Sequence, residues 1–309
     1  MTRPPLSVVV PNYNGAHVLP ACLAALRAQQ VAPTEVLVVD NGSTDGSADA
    51  AERAFPEVRV LRLGRNTGFG GAANRGVREV GSQLVCVLNS DARPDPGWVA
   101  AVTGFNEARA WSWGGVLVRP DGLLESAGDC YSPAGFAYKH ALGRRREELP
   151  DAPYEVFAPP GAAPVFRREV FLELGGYDER YFLYLEDIDL AFRARSRGWT
   201  SWVLPATSVE HDMGASGTKP VAAWHIARNA VWCQVSNLPR LEPRLFLTTT
   251  RRELRRARAE GVAGPFLRGR ARAVLDLPRL LRHRRSETRL RVVAPEDLVV
   301  ACGLPGELD

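Results

Sequence analysis

The chain is predicted to be α/β: a mostly parallel sheet with helices on both faces, followed by a basic helical C-terminal extension. Two patterns carry this reading. Through the first ninety residues, short β-branched runs alternate with helix-length stretches, the signature of βαβ units and so of a parallel sheet covered on both faces. From Arg251 to Arg291 the composition changes: fourteen arginines against four acids give this stretch a net +10 within a chain of 309 residues whose total is +4, so the remainder is acidic. Two units are expected, residues 1–240 and 241–309.

Leu6 to Val10 reads as the first strand, closed by Pro11, and Val18 to Ala28 as a helix. Glu35 to Val39 is a second strand ending at Asp40. Val58 to Leu63 and Leu84 to Leu88 are the third and fourth, with helices near Ser47 to Phe55 and Gly71 to Val80 between them. Ligands of such sheets bind outside the carboxyl ends of the strands. Polar residues collect there: Pro11, Asn12, Tyr13, Asn14 and Gly15 after the first strand, Asp40 to Gly46 after the second, Asn89, Ser90 and Asp91 after the fourth. Any one of these turns simply reverses a chain or caps a helix; three converging on one edge indicate a site. Asn66 to Gly76, NTGFGGAANRG, opens a helix with glycines that can bring backbone N–H groups against a diphosphate. It has neither GxGxxG spacing nor the Lys-Ser/Thr of a P-loop.

After Asp91 the alternation loosens. Trp98 to Ala108 is expected to be helical and Gly115 to Val118 a strand, while Pro120 to Pro160 reads as loops and short strands. The stretch GGYDERYFLYLEDIDLAFR, Gly175 to Arg193, gathers Glu186, Asp187 and Asp189 among aromatic and aliphatic residues. As a helix from about Leu185 it places Leu185, Ile188, Ala191 and Phe192 on a buried face. Its acids sit in the first turn, where the helix dipole favours each by roughly 0.3–1 kcal/mol. Asp189 and Arg193, at i and i+4, are expected to pair on the surface. The acids are either an ordinary acid-rich helix start or a general base, whose pKa partial desolvation raises and whose position packing fixes. Trp199 to Leu204 is a further strand leading to His211, and Ala222 to Ser236 a helix bearing Trp224, His225, Arg228, Asn229 and Trp232.

The 45% hydrophobic and 24% charged content is that of a globular protein. No apolar run of eighteen residues and no signal-peptide pattern is visible, so a cytoplasmic protein is expected. Five scattered cysteines without a CxxC suggest buried, reduced thiols and no zinc site.

Taken in order, VVVPNYNG, VLVVDNGSTDGS, NTGFGGAANRG, VLNSDARP, GAAPVFRREVFLELGGYDERYFLYLEDIDLAFR, RGW and EHDMGAS resemble the family 2 inverting glycosyltransferases of GT-A fold, in their bacterial rhamnosyltransferase-like branch. The resemblance covers about residues 5 to 240. It implies direct displacement at the anomeric carbon of a nucleotide sugar linked to dTDP, UDP or GDP. Pro11, Tyr13 and Asp40 become nucleoside contacts, with Tyr13 either lying against the base or filling the sheet edge. Asn66 and Asn74 become polar contacts to base, ribose or diphosphate. Asn89-Ser90-Asp91 falls where the family carries its DxD signature for a divalent cation, Mn²⁺ or Mg²⁺, so Asp91 is the expected ligand and Asn89 its support or a donor contact. His211 matches the histidine that completes the metal site and suits Mn²⁺ better than Mg²⁺. Asp187 matches the general base, with Glu186 orienting the acceptor or sharing the role.

The resemblance further implies a glycan or lipid-linked acceptor in cell-envelope polysaccharide synthesis, with rhamnose first among donor sugars. The tail, Arg251 to Arg291, is either a solvated basic helix packed on the catalytic domain or a partly amphipathic surface for an anionic membrane. Nucleic acid is not an expected partner, since no aromatic interleaving or recognised module accompanies the charge. Rival readings are a nucleotidyltransferase, for which PNYNG lacks a basic activating residue, a catalytically silent nucleotide-sugar scaffold, motivated by Asn89, and a glycosyltransferase with a small-molecule acceptor.

Overall fold

The computed structural model describes residues 3–132, 135–212, 218–238, 240, 243–294 and 298. Its first half alternates as the sequence predicts: β1 (Leu6–Asn12), α1 (Leu19–Arg27), β2 (Glu35–Asp40), α2 (Ser47–Ala54), β3 (Arg59–Arg62), α3 (Gly68–Glu79) and β4 (Leu84–Val87). The strands are apolar on both faces because both are covered. Val8, Val10, Val38 and Cys86 point into a core shared with Leu19, Cys22 and Leu23 of α1. Their alternates, Val9, Leu37, Val39, Val85 and Val87, point into a second core with Ala72, Ala73 and Val77 of α3. A Cβ at Gly76 would lie 2.3 Å from Val9 Cγ1, so glycine there lets α3 sit close on the sheet.

The second half adds β5 (Ala92–Pro94), α4 (Trp98–Gly104), β6 (Ala110–Val118), β7 (Leu124–Ser126), β8 (Asp129–Ser132), β9 (Phe136–Lys139), β10 (Tyr154–Val156), β11 (Val165–Arg167), α5 (Arg168–Glu173), α6 (Glu186–Ser196), β12 (Thr200–His211) and α7 (Lys219–Asn237). The main sheet runs β10-β12-β6-β11-β4-β1-β2-β3, with β5 paired to β12 and β7 to β6. Along that path only β10 and β11 run against the others, which is the mostly parallel sheet expected.

Several boundaries differ. β1 continues through Pro11 to pair Asn12 with Asp40; a proline is tolerated here at the strand's last residues. Helix α4 stops at Gly104, and β6 starts at Ala110, because Trp111 and Trp113 each fill a core. β12 runs beyond Leu204 to His211, with a register shift between Leu204 and Ser208. Cys22, Cys86 and Cys233 are free and buried; Cys130 is disulfide-bonded, which corrects the expectation of a thiol there.

Beyond residue 240 come α8 (Pro243–Ala259), α9 (Ala263–Leu275) and α10 (Leu277–Arg289). Pro278 lies in the first turn of α10, where its missing N–H is unneeded. Helix α9 packs on α7 so closely that a Cβ at Gly269 would come within 2.3 Å of the Trp224 carbonyl oxygen. Among the described residues no helix is long and apolar enough to cross a membrane.

Candidate active site

Parallel register brings the strand ends into line, and their loops are stitched together. Asn12, buried at the end of β1, donates through Nδ2 to Ser47 Oγ at 2.9 Å and Ser43 Oγ at 3.3 Å. Asp40, buried at the end of β2, accepts from the Ser43 N–H at 3.2 Å. Pro11 is buried beneath them, while the Tyr13 ring stands 52% exposed. Tyr13 therefore does not fill the sheet edge and is free to lie against a flat ligand.

The two asparagines of NTGFGGAANRG stand in different surroundings. Asn66 Oδ1 accepts from Asn41 Nδ2 at 3.1 Å and from the Gly68 N–H at 2.9 Å, fixing the loop, although the residue itself is exposed. Asn74 is buried, and its amide is engaged at both ends: Nδ2 donates to Tyr177 O at 2.8 Å and Glu179 Oε1 at 3.1 Å, and Oδ1 accepts from the Tyr177 N–H at 2.8 Å. Asn74 braces α3 against the GGYDE segment, with both ends of its amide engaged by protein groups. The loop glycines likewise serve close packing: a Cβ on Gly68, at φ +80°, would lie 2.4 Å from the Phe182 carbonyl oxygen.

Asn89, Asp91 and His211 do come together. Pairing of β5 with the end of β12 sets His211 opposite Ala92. The Arg93 guanidinium holds that pairing by donating to Asp212 Oδ1 at 2.8 Å. His211 Nε2 lies 3.2 Å from Asp91 Oδ1 and 3.4 Å from Asn89 Nδ2, and Asn89 Oδ1 is buried without a partner. The remainder of EHDMGAS, 213–217, lies outside the described residues.

Glu125 completes this centre and had no part in the sequence reading. Carried on β7, it is 1% exposed, and its Oε2 lies 2.7 Å from His211 Nδ1 while Oε1 pairs with the Lys139 ammonium. Burial opposes a charge on His211, but its bonds to Asp91 and Glu125 outweigh that and lift its pKa to about 9. Burial likewise raises Glu125, and His211 and Lys139 more than offset it. A carboxylate on the far nitrogen of a metal-ligating histidine fixes its ring and tautomer. The signal for Glu125 was the Asp121-Gly122 turn between Val116–Val118 and Leu123–Leu124, which folds β7 back beside β6.

Among the described residues no group of three His, Cys, Asp or Glu converges as a closed metal site. Asp91, His211 Nε2 and the orphaned Asn89 oxygen form an open set of hard and borderline donors. Such a set fits an ion that draws its remaining ligands from a diphosphate and water.

The acidic helix begins at Glu186. Residues Ile188, Leu190, Ala191, Phe192 and Ala194 are all buried, so α6 is enclosed nearly all round rather than on one face. Asp189 and Arg193 are 1% and 6% exposed, which corrects the surface pairing expected of them. Arg193 Nε donates to Asp189 Oδ2 at 2.9 Å, and its other nitrogens donate to Leu174 O and Gly176 O at 2.6 and 2.8 Å. Tyr181 OH and Asn237 Nδ2 donate to Asp189 Oδ1. This acid is structural.

Asp187 and Glu186 are not committed in that way. Asp187 Oδ1 accepts from the Ile188 N–H at 2.8 Å, and burial raises its pKa. Glu186 is 6% exposed with Oε2 unpartnered; burial first, and then the Asp187 charge, push it up to about 8. A Cβ on Gly161 would lie 2.7 Å from Asp187 Oδ2 and 3.9 Å from Asp129 Oδ2. Asp129, a third carboxylate, is raised to about 7 by burial and by Asp187. The adjacent Ala162 carbonyl accepts from the Asn89 N–H at 2.8 Å. The segment 161–162 thus touches Asp187 through Gly161 and the Asn89 backbone through Ala162.

The approach to α6 is strained. Phe182 centres a γ-turn, with φ 66°, ψ −52° and the Leu183 N–H donating to Tyr181 O at 2.8 Å. Tyr184 and Leu185 also have positive φ, 69° and 67°. For residues other than glycine such conformations cost of order 1–3 kcal/mol each and persist only where the surroundings enforce them.

A family model described as glycosyl transferase family 2 matches residues 7–175. The chain is 33% identical over 247 residues to N-acetylglucosaminyl-diphospho-decaprenol L-rhamnosyltransferase of Mycobacterium tuberculosis, covering 72% of this chain and 80% of that one. Among solved structures it is similar to GalNAc-T7 with UDP, GalNAc and Mn²⁺, with TM-score 0.64 and 17% identity over 90% of this chain and 58% of that one. It is also similar to the mannosyltransferase PcManGT of Pyrobaculum calidifontis in complex with GDP-Man and Mn²⁺, with TM-score 0.57 and 19% identity over 94% and 86%. At these identities the structures establish the GT-A fold.

Proposed function

The chain belongs to glycosyl transferase family 2 and is a glycosyltransferase, and from that premise we propose that it moves rhamnose from a nucleotide-diphosphate donor to an N-acetylglucosaminyl diphosphate carried on a polyprenol, with inversion. The 33% identical relative supports the sugar and the acceptor by its name. The observation that supports the mechanism is the link through residues 161–162, which touch Asp187 on one side and the Asn89 backbone on the other, next to the Asp91–His211 pair.

In this reading the nucleoside lies over the ends of β1 and β2, against Pro11, Tyr13 and Asp40, with Asn66 at the rim. Asp91 and His211 would hold a divalent ion, Mn²⁺ better than Mg²⁺ given the imidazole, with Asn89 Oδ1 available to it or to the donor. When bound, the ion neutralises charge developing on the leaving diphosphate. Asp187 accepts the acceptor hydroxyl's proton as that oxygen bonds to C1. The C1–O bond to phosphate breaks on the opposite face, and its electron pair leaves with the nucleotide. The raised pKa of Asp187 makes it a better base than a solvated aspartate. Glu186, at the back of the same turn, orients the acceptor.

We assign this chemistry to residues 1–240 and treat 241–309 as a basic appendage that brings the enzyme to the inner, anionic face of a membrane. Leu267, Val274 and Leu275 of α9 are exposed beside Arg268 and Arg272, which supports that role.

Thermal stability with UDP, dTDP and GDP, each with and without Mn²⁺, tests the donor site. A ligand at 100 times its dissociation constant adds about 2.7 kcal/mol to the native state. One nucleotide should raise the melting temperature selectively and only with Mn²⁺. No shift with any nucleotide would leave the chain a silent member of the fold.

A further inference from the structure

Three of the four residues before α6 hold positive φ without being glycine, and the conformation is not explained by their own side chains. It is explained by α7. Asn229 is fully buried, and its Nδ2 shares its two hydrogens among three carbonyl oxygens, Tyr181 O at 3.1 Å, Leu183 O at 2.8 Å and Tyr184 O at 2.8 Å. Carbonyl oxygens only accept, so the side chain must present its nitrogen to them. Its neighbours on the helix grip the same segment. The Arg228 guanidinium donates to Arg180 O, and Asn237 Nδ2 to Asp189 Oδ1 at 2.9 Å. From the opposite side the Phe69 N–H of α3 donates to Phe182 O at 2.7 Å, and the Phe182 ring stacks on His225 of α7 with centroids 5.5 Å apart.

We propose that Asn229 is a positioning residue for the reaction: its amide gathers the carbonyls of 181–184 and so locks the left-handed approach that aims Asp187. The segment joins α5 to α6 and would otherwise relax toward negative φ, rotating the first turn of α6 relative to Gly161 and the metal centre. A displacement of about 1 Å at a reacting group can cost on the order of 100-fold in rate. An ordinary buried asparagine would affect stability throughout; this one is predicted to act on a single loop. The inference rests on Asp187 being the base.

The test uses the full chain with Asn229→Ala and the isosteric Asn229→Asp, which turns a carboxylate toward three carbonyls. Three quantities are read: affinity for the nucleotide selected above with Mn²⁺, by calorimetry; the transfer rate onto N-acetylglucosaminyl diphosphate polyprenol; and amide hydrogen exchange. Expected are nucleotide affinity within about twofold of wild type, kcat lower by about 100-fold, and faster exchange confined to residues 180–189. A wild-type kcat, exchange that rises across the whole sheet, or global unfolding of both variants would overturn the proposal and make Asn229 a core residue. Should Asp187→Asn transfer at the wild-type rate, the base assignment fails by itself, and localised exchange in the Asn229 variants still decides whether the loop is held by α7.

Discussion

A buried carboxylate with two partners does different work from one with none. Glu125 and Asp189 are spoken for, whereas Glu186 keeps an unpartnered oxygen and Asp187 accepts from the Ile188 N–H. Glu125→Gln keeps the size but removes the charge and leaves one amide oxygen where two carboxylate oxygens serve His211 Nδ1 and Lys139, weakening what fixes the ring. Mn²⁺ affinity should fall about 10–100-fold, read by calorimetry on the nucleotide complex; unchanged affinity would take Glu125 out of the centre. The individual residues were legible to the extent that they carried a motif. Asp91, His211 and Asp187 stood in recognisable surroundings, and the fold sets His211 Nε2 3.2 Å from Asp91 Oδ1. Glu125 did not, because its contact with His211 spans a hairpin and a strand pairing that the sequence does not spell out. Asn74 shows the converse: the right residue type in a matching motif, spent on bracing Tyr177 and Glu179.

At the scale of elements, strands and helices of the first half could be read from periodicity because each apolar run is bounded by turns. In the second half α4, α6, β12 and α7 could be read in the same way, but β5, β7, β10 and β11 could not, since they are three-residue strands, too short for a period. The i, i+4 pairing of Asp189 with Arg193 was visible, but which side of α6 is buried depends on α7 and on β8 and β9 covering it. That pair now makes a sharp prediction. Arg193→Met would leave Asp189 buried with only Tyr181 and Asn237, and would leave the Leu174 and Gly176 carbonyls without their donor. Removing one partner of a buried pair costs about 3–5 kcal/mol. Urea unfolding should show a loss of that size; a loss below about 1 kcal/mol, as for an exposed pair, would mean the pair opens to water.

At the scale of the whole molecule, a catalytic part close to neutral is joined to the basic helices α8 to α10, which carry the net positive charge. The helices are joined to the site through α7, on which α9 packs at Gly269 and whose Asn229 holds the approach to Asp187. Basic residues near an anionic surface contribute about 1 kcal/mol each, screened within a Debye length. Vesicles containing phosphatidylglycerol should therefore bind the protein, release it as salt rises, and bind Arg268→Glu/Leu275→Glu more weakly. Equal binding to uncharged vesicles would contradict an electrostatic surface. The charge division was plain from composition, while the packing of α9 on α7 depends on Gly269, one small residue among many.

The most direct measurement is rhamnosyl transfer itself: purified protein with nucleotide-linked rhamnose, Mn²⁺ and N-acetylglucosaminyl diphosphate polyprenol, for wild type and Asp187→Asn. The wild type should form a product inverted at the anomeric carbon. Asp187→Asn should be slower by roughly 10²–10⁴ with nucleotide binding intact. Transfer at the wild-type rate by Asp187→Asn, or no product from a wild type that binds its nucleotide, would contradict the assignment of this site.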